Sequence, residues 1–249
     1  SALTAFGSYT SNIGNLLNQG IEFEFSSLNI GLRNFTWSTD FNFTWQRSTV
    51  ESLPNGGSDI IYGDGGMYIH REGESMYSFY LPVWKGVNPE NGFGEFWVDP
   101  EDHSKGVTNY YTEAGSTIVG KALPDVVGGI TNRMTFLDDM FDISFLISYQ
   151  FGGSLFDYPG YFTHSDGFRA ASMNAADDAA DYWTPQNTDA KFPKPIMNNP
   201  YRWDRFSSRL IKSTDNIRMR EVTFGFNVPN TDVISALRLY FRMTNPFMI

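Results

Sequence analysis

The sequence predicts an all-β chain, an antiparallel transmembrane β-barrel with long extracellular loops and one short loop helix. Three observations predict it. Several segments alternate between apolar and polar residues with period two. Aromatic residues make up 16% of a chain whose mean hydropathy is only -0.32. Tight turns and very long connections take turns along the chain, as they do in outer-membrane barrels.

The alternation is plainest in "NFTWSTDFNFTWQRS", residues 34 to 48, where Phe35, Trp37, Phe41, Phe43 and Trp45 fall on odd positions. Thr36, Ser38, Asp40, Asn42, Thr44 and Gln46 fall between them. Side chains of a strand point alternately to two faces, so this ribbon has an aromatic face and a wet one. A soluble protein can hide such rings in a core. A membrane barrel turns them to lipid instead, and its hydropathy stays moderate because every second residue is polar. Residues 35–45 also match the roughly 9–11 residues that a tilted strand needs to cross a bilayer.

The elements follow in order. "GIEFEFSS" sets Ile21, Phe23 and Phe25 against Glu22 and Glu24, giving a strand near 20–28 that turns at Asn29-Ile30-Gly31 into a strand over 33–47. A long segment, 48 to 127, is rich in Gly, Pro, Asn and Asp. Within it "SMYSFYLPVWKGV" and "NGFGEFWVD" can each supply a strand. Strands over 128–137 and 140–151 meet at Asp138-Asp139. In the second, Phe141, Ile143, Phe145, Ile147, Tyr149 and Phe151 share a face, and Leu146 is the one apolar exception opposite. A second long segment, 152 to 216, carries the helix candidate "FRAASMNAADDAADYW", 168–183, on its alanine content. In "IRMREVTFGFNV" the apolar phase shifts near Glu221, which one inserted residue, a β-bulge, would cause. After Pro229-Asn230-Thr231-Asp232, a last strand starts near Ser235 and sets Leu237, Leu239, Phe241 and Met243 against Arg238, Tyr240 and Arg242.

Composition removes several function classes. A net charge of -10 disfavours nucleic acid, whose phosphates need clustered Lys and Arg. The chain has no cysteine, so it has no thiolate metal site and no disulfide. No apolar run reaches the roughly 18 residues of a membrane helix. The first ten residues, "SALTAFGSYT", show no signal peptide, so a leader is expected to have been removed or the chain to be a piece of something longer. His70, His103 and His164 lie far apart, and no nucleophile motif is present, so no catalytic residue, metal ligand or cofactor is expected. The acidic groups Asp99-Pro100-Glu101-Asp102 and Asp177-Asp178 with Asp181 have oxygen ligands for calcium but lack an EF-hand pattern, and read as solvated loop charge.

Loop aromatics carry the binding signal. Tyr158, Tyr161, Phe162, Tyr182, Trp183, Phe192, Tyr201 and Trp203 stand beside Asn, Asp and Arg, a mixture suited to sugar stacking or peptide capture. The ligand candidates chosen from them are Tyr158, Phe162, Trp183 and Trp203. The competing reading is that these rings pin the loops to one another.

"NIGNLLNQGIEFEFS" (12–26) resembles the N-x-G-x-x-x-N-x-G-x-E-x-x stretch of SusC/RagA-type TonB-dependent transporters of Bacteroidetes. Other pieces resemble the family in its order: "REGESMYSFYLPVWKGVNPENG", "VGKALPDVVGGITNRMTF", "FDISFLISYQFGGSLFD", "DYWTPQNTDAKFPKP", "SSRLIKSTDNIRMREVTFGFNVP" and "LRLYFRMTNPF". The resemblance implies that residues 1–249 are the C-terminal portion of a plugged barrel, with the plug, the TonB box and the earlier strands elsewhere. The end departs from the family, which usually has a Gly-Gln-Asn-Leu-Phe-like stretch where this chain has "MTNPFMI". The whole protein would then sit in the bacterial outer membrane and import an oligosaccharide or a peptide. A SusD-like lipoprotein would be its lid, TonB its motor, and outer-membrane lipid its surroundings. Two rivals stand beside this reading. One is a soluble all-β glycan-binding or adhesin domain with the aromatic faces paired in a sandwich. The other is a glycoside hydrolase using two loop carboxylates.

Overall fold

The computed structural model describes residues 14–249, so the first two residues of the "NIGN" stretch lie outside the described part. The chain divides into two compact units. A sheet unit gathers residues 19–47, 121–156 and 211–249; a loop unit gathers 48–120 and 157–210 with residues 14–18.

The sheet unit is built on six strands: β1 (Asn15–Leu32), β2 (Phe35–Ser52), β3 (Val126–Phe136), β4 (Phe141–Phe151), β5 (Asn216–Val228) and β6 (Leu237–Met248). They lie side by side in chain order, with β1 and β6 as the edges among the described residues. The pairings from β2 to β6 are antiparallel, and their register keeps the two faces distinct, with Leu146 on the polar face and the pair Thr39–Asn132 on the apolar face among the exceptions. Phe35, Phe136, Phe141, Phe226 and Leu239 form one row across five strands. Within it the rings of Phe35 and Phe136 are 5.1 Å apart, and those of Phe141 and Phe226 are 4.9 Å apart. Ser38, Arg133, Ser144, Thr223 and Arg242 form a row of the opposite face. Because the side-chain period is two, a slip of one residue would exchange the faces, so this pattern itself specifies the register.

The hairpins follow the expected plan with one correction. The β3–β4 turn falls at Leu137-Asp138-Asp139, where all three residues have positive φ. Aspartates tolerate that region because their short side chains can hydrogen-bond locally. The first hairpin does not turn at Asn29-Ile30-Gly31. Those residues stay in β1, and the turn is Arg33-Asn34. Asn29 is held in the strand by its side-chain amide, which donates to Thr39 Oγ1 at 2.7 Å across the pair. The bulge near Glu221 is present: register shifts between Met219 and Glu221 against both neighbouring strands. Gly128 has a packing reason. A Cβ there would come within 2.4 Å of the Tyr149 hydroxyl, which lies over the glycine and donates to the Asn42 carbonyl at 3.0 Å. An aromatic ring covering a cross-strand glycine in this way restores packing that the glycine forfeits.

The loop unit is stitched from short pieces. Ile60–Tyr62, Tyr68–His70 and Ser78–Pro82 pair in sequence, and Trp84–Val87, Gly94–Trp97 and Val107–Thr108 pair likewise. Its interior holds Ile69, Phe79, Leu81, Phe96, Trp203, Phe206 and Leu210. The expected helix at 168–183 does not form; that stretch has only a 3-10 turn, Asp177–Ala180. The six-residue helix lies earlier instead, at Tyr158–Thr163. There Asp157 accepts the Gly160 N–H at 2.8 Å and Pro159 occupies the first turn, where it needs no N–H partner. Around 177–181 the alanines have a competitor. Asp178 is tied outward to His164 and Lys191, which sets a local geometry that helix propensity, a few tenths of a kcal/mol per residue, does not override.

Candidate functional site

Tyr158 and Phe162 are one turn apart on the helix Tyr158–Thr163, with ring centroids 6.0 Å apart. They are 44% and 37% exposed. Behind them Tyr161 packs edge-on against the buried Phe206 at 4.7 Å, and the Arg169 guanidinium lies 4.3 Å from the Tyr161 ring. Tyr158 donates its hydroxyl to Asp64 Oδ2 at 3.1 Å, and this carboxylate pushes the phenol pKa up. Asp64 sits in the Gly63–Gly66 turn that leads to Tyr68. There Tyr62 stacks on His70 at 4.2 Å and on Tyr68 at 5.4 Å. The loop unit thus presents aromatic faces next to hydrogen-bonding groups, an arrangement that receives the apolar faces and polar edges of sugars or peptide side chains.

Trp203 is placed differently. It is 1% exposed, its indole N–H donates to the Asn109 carbonyl at 2.9 Å, and its ring stacks on Tyr201 at 5.3 Å and 8°. A ring with no open face builds the unit's interior and leaves nothing for a ligand to touch. Trp183 is half-buried; its indole donates to the Pro89 carbonyl at 2.9 Å. It presses against Gly92, whose φ is +74° and where a Cβ would fall 2.4 Å from the ring. Of the four candidates, the structure brings Tyr158 and Phe162 together in one patch. Trp183 and Trp203 lie in a second aromatic group with Phe93 and Tyr201. Tyr110, 47% exposed and 4.9 Å from Tyr201, adds an open ring to that second group. Nothing in the sequence singles it out: "TNYYTE" offers only a pair of tyrosines with no sign of which one is open.

The loops are fastened by ion pairs. Arg209 forks onto Asp166 at 2.5 and 2.8 Å, with both side chains nearly buried. Burial pushes the Asp166 carboxyl up, and the Arg209 guanidinium opposes that shift. The buried Asp204 carboxylate receives Arg169 and Arg202, each at 3.0 Å. Burial works against ionisation of Glu95, but hydrogen bonds from Lys85 and Asn88 outweigh it and hold the carboxyl below its ordinary range. On the surface, Lys191 and His164 both reach Asp178 and hold its pKa down at about 2. All three histidines are stacked on aromatic rings: His70 on Tyr62, His103 on Trp97 at 3.8 Å, and His164 on Phe192 at 4.7 Å. In the first acidic group, Asp99 accepts the backbone N–H groups of Glu101 and Asp102, which makes it a turn-former. Among the described residues, no three His, Cys, Asp or Glu side chains gather in a way that could hold a metal ion.

A sheet with a largely apolar face and a polar face, its strands joined alternately by short turns and long segments, has the pattern expected of a stretch of β-barrel wall. Comparison with known proteins specifies which barrel. No protein-family profile matches the chain. It is 28% identical over 253 residues to TonB-dependent receptor P3 of Formosa agariphila, covering 92% of this chain and 24% of that protein. It is 27% identical over 258 residues to TonB-dependent receptor SusC of Bacteroides thetaiotaomicron, covering 96% of this chain and 24% of that protein. The chain therefore spans about a quarter of the length of the curated relatives it matches. Among solved structures, that of the RagAB peptide transporter superposes with a TM-score of 0.82 at 19% identity, over 100% of this chain and 27% of that one. Over nearly all its length the chain resembles SusC/RagA-type TonB-dependent transporters: it is similar in sequence to TonB-dependent receptors, SusC among them, and shares its fold with the matching part of the RagAB structure.

Proposed function

We propose that this chain is the C-terminal part of the barrel of an outer-membrane importer that takes up oligosaccharides or peptides under the control of TonB. The observation that carries the reading is the sheet's division into two faces. Apart from the hydrogen-bonded pair Thr39–Asn132, the face of Phe35 and Phe141 is dominated by apolar side chains, and many stay open: Phe23 is 52% and Phe241 62% exposed. Water would penalise such a face at roughly 25 cal/mol per Å², whereas lipid would not. A sandwich would cover these rings with a second sheet. The polar face, with Asp40, Arg133, Asp142 and Arg242, would line an aqueous interior.

In this reading the long segments contribute the ligand-contacting surface and the seat of a SusD-like lipoprotein lid, and the plug and TonB-contacting parts belong to the rest of the protein. Tyr158 and Phe162 offer the ligand two open rings; Trp183 could contact it only along its exposed edge. No covalent step is involved, so the protein works as a transporter and not as an enzyme. Support comes from the relatives' names, TonB-dependent receptors and a peptide transporter.

The test is purification of the full-length protein in mild detergent from its own outer membrane, with mass spectrometry of everything that accompanies it. A stoichiometric surface lipoprotein is the expected result. Recovery from the soluble fraction, or from the membrane with no such partner, would sink the lidded importer. With a co-purified ligand in hand, replacing Tyr158 and Phe162 together by Ala should weaken its binding about tenfold, or ~1.4 kcal/mol. An unchanged affinity, measured by calorimetry, would remove both rings from the site.

A further inference from the structure

The polar face of the sheet carries five arginines on β3, β5 and β6, and three of them are neutralised. Arg133 pairs with Asp40 at 3.3 Å, Arg238 with Asp142 at 2.6 Å, and Arg242 with Glu221 at 3.5 Å. Arg218 and Arg220 have no carboxylate partner among the described residues. The β-bulge explains why both are on this face. Strict alternation puts Arg218 and Arg220 on one face and Glu221 on the other. The extra residue at 220 resets the phase, so that Arg218, Arg220 and Glu221 all point the same way. Arg220 donates from Nε to the Ser148 hydroxyl oxygen at 2.8 Å, and Arg218 is the register partner of Ser148, with its guanidinium turned toward β6 on the other side. One Arg218 N–H is directed at the Met248 thioether sulfur, a weak acceptor, at 2.9 Å.

The row that contains Ser148 and Arg218 continues through Gly129 to Asn42. Gly129 contributes no side chain, and the Asn42 amide lies 3.7–3.9 Å from where its Cβ would stand, so from Arg218 to Asn42 this row carries only hydrogen-bonding side chains. At the far side of the sheet the same face carries Glu22 and Glu24 on β1. Four strand spacings of ~4.8 Å separate β1 from β5, too far for those carboxylates to neutralise the arginines.

We propose that Arg218 and Arg220, with Ser148 and Asn42, form an anion-binding rung that engages carboxylate or sulfate groups of the imported solute. The proposal rests on the barrel-wall reading and narrows it to anionic oligomers. Guanidinium groups are well suited to holding such anions, because each presents a planar fork of donors that matches two oxygens of a carboxylate or sulfate and stays charged at any physiological pH. Most of these donors are uncommitted here. Two such guanidinium groups on one wet face would favour a solute with repeated negative charges over a neutral one of the same length.

The test uses the full-length transporter in detergent and calorimetric titration with three defined hexamers: galacturonic acid for carboxylate, a sulfated carrageenan fragment for sulfate, and maltohexaose as the neutral control. One or both anionic probes should bind at least tenfold more tightly than the neutral one, and binding should weaken as salt rises. Arg218→Gln with Arg220→Gln should remove that preference and leave maltohexaose unchanged. If the double substitution blocks assembly, Ser148→Glu, which supplies an internal carboxylate to both arginines, should have the same effect. No anionic preference in the native protein, or a preference that survives these substitutions, would overturn the proposal. Labelling separates failure of the rung from failure of the wall reading. The chain has no cysteine of its own, so Ser148→Cys can be probed with a charged, membrane-impermeant thiol reagent. Labelling without anion preference would refute the rung alone; no labelling of the assembled protein would refute the aqueous-interior reading on which it stands.

Discussion

The sheet unit and the loop unit are both rich in aromatic residues, and they spend them in opposite ways. In the loop unit Trp203, Phe79 and Phe96 are fully buried, and Trp203 and its neighbours lock together through ring contacts and backbone hydrogen bonds. In the sheet unit the rings of β1, β4, β5 and β6 stand open: Phe23, Phe141, Phe224 and Phe241 are all exposed. The charges invert as well. Loop-unit ion pairs such as Arg209–Asp166 and Arg169–Asp204 are buried. Those of the sheet, such as Arg133–Asp40, are surface pairs of the kind worth at most about 1 kcal/mol. The loop unit is organised as a water-soluble protein with an inside. The sheet is a single layer held by backbone ladders, and in the proposed reading lipid covers its open rings.

The sharpest break of this comparison is in the loop unit's interior. Trp203→Ala should cost ~3–5 kcal/mol, the usual range for emptying a large aromatic site. Protease should then cut within 157–210, while the barrel keeps its heat-modifiable mobility on a gel. Simultaneous loss of both signals would show that the two units do not hold separately.

A charge in the apolar face of the sheet is the complementary break. Phe41→Arg should destabilise the membrane-assembled protein by ~2–4 kcal/mol, the cost of arginine near a bilayer midplane. Thr131→Arg lies one row away on the polar face, and its effect should be within about 1 kcal/mol. Urea titration in lipid vesicles compares the two, and equal costs would mean that the faces are not differently solvated.

The smallest effect is a pH response confined to the loop unit. The Asp178 pKa is lowered from 3.8 to about 2 by Lys191 and His164. A lowered folded value stabilises the ionised form, so the contribution is complete above about pH 4 and lost as pH falls toward 2. Hydrogen exchange around 176–191 should accelerate across that window, whereas exchange in 126–151 should not. Uniform acceleration would point to general acid unfolding.

Most of the sheet was legible because its signal is local. Phe41 and Asp40 report their faces by parity alone, and Arg220 with Glu221 report the bulge by a broken phase. The first turn was misplaced because Asn29 and Gly31 are turn-forming residues that cross-strand bonding keeps in the ladder. The helix at 168–183 was misplaced because alanine content is a weak prior. The capping by Asp157 and the tether at Asp178 depend on partners that the local pattern does not reveal. The binding candidates fared unevenly for the same reason. Tyr158, Phe162, Trp183 and Trp203 look alike as loop aromatics, but whether a loop ring is open is set by what folds over it.

The sequence by itself determined the six long strands, their two faces and the alternation of short and long connections, since period-two alternation needs no knowledge of distant residues. Tertiary structure alone decided which loop rings are buried, which charges are paired and which arginines are left over. Those outcomes depend on contacts between residues about a hundred positions apart, such as Trp203 with Asn109 and Arg133 with Asp40. No local pattern records such contacts.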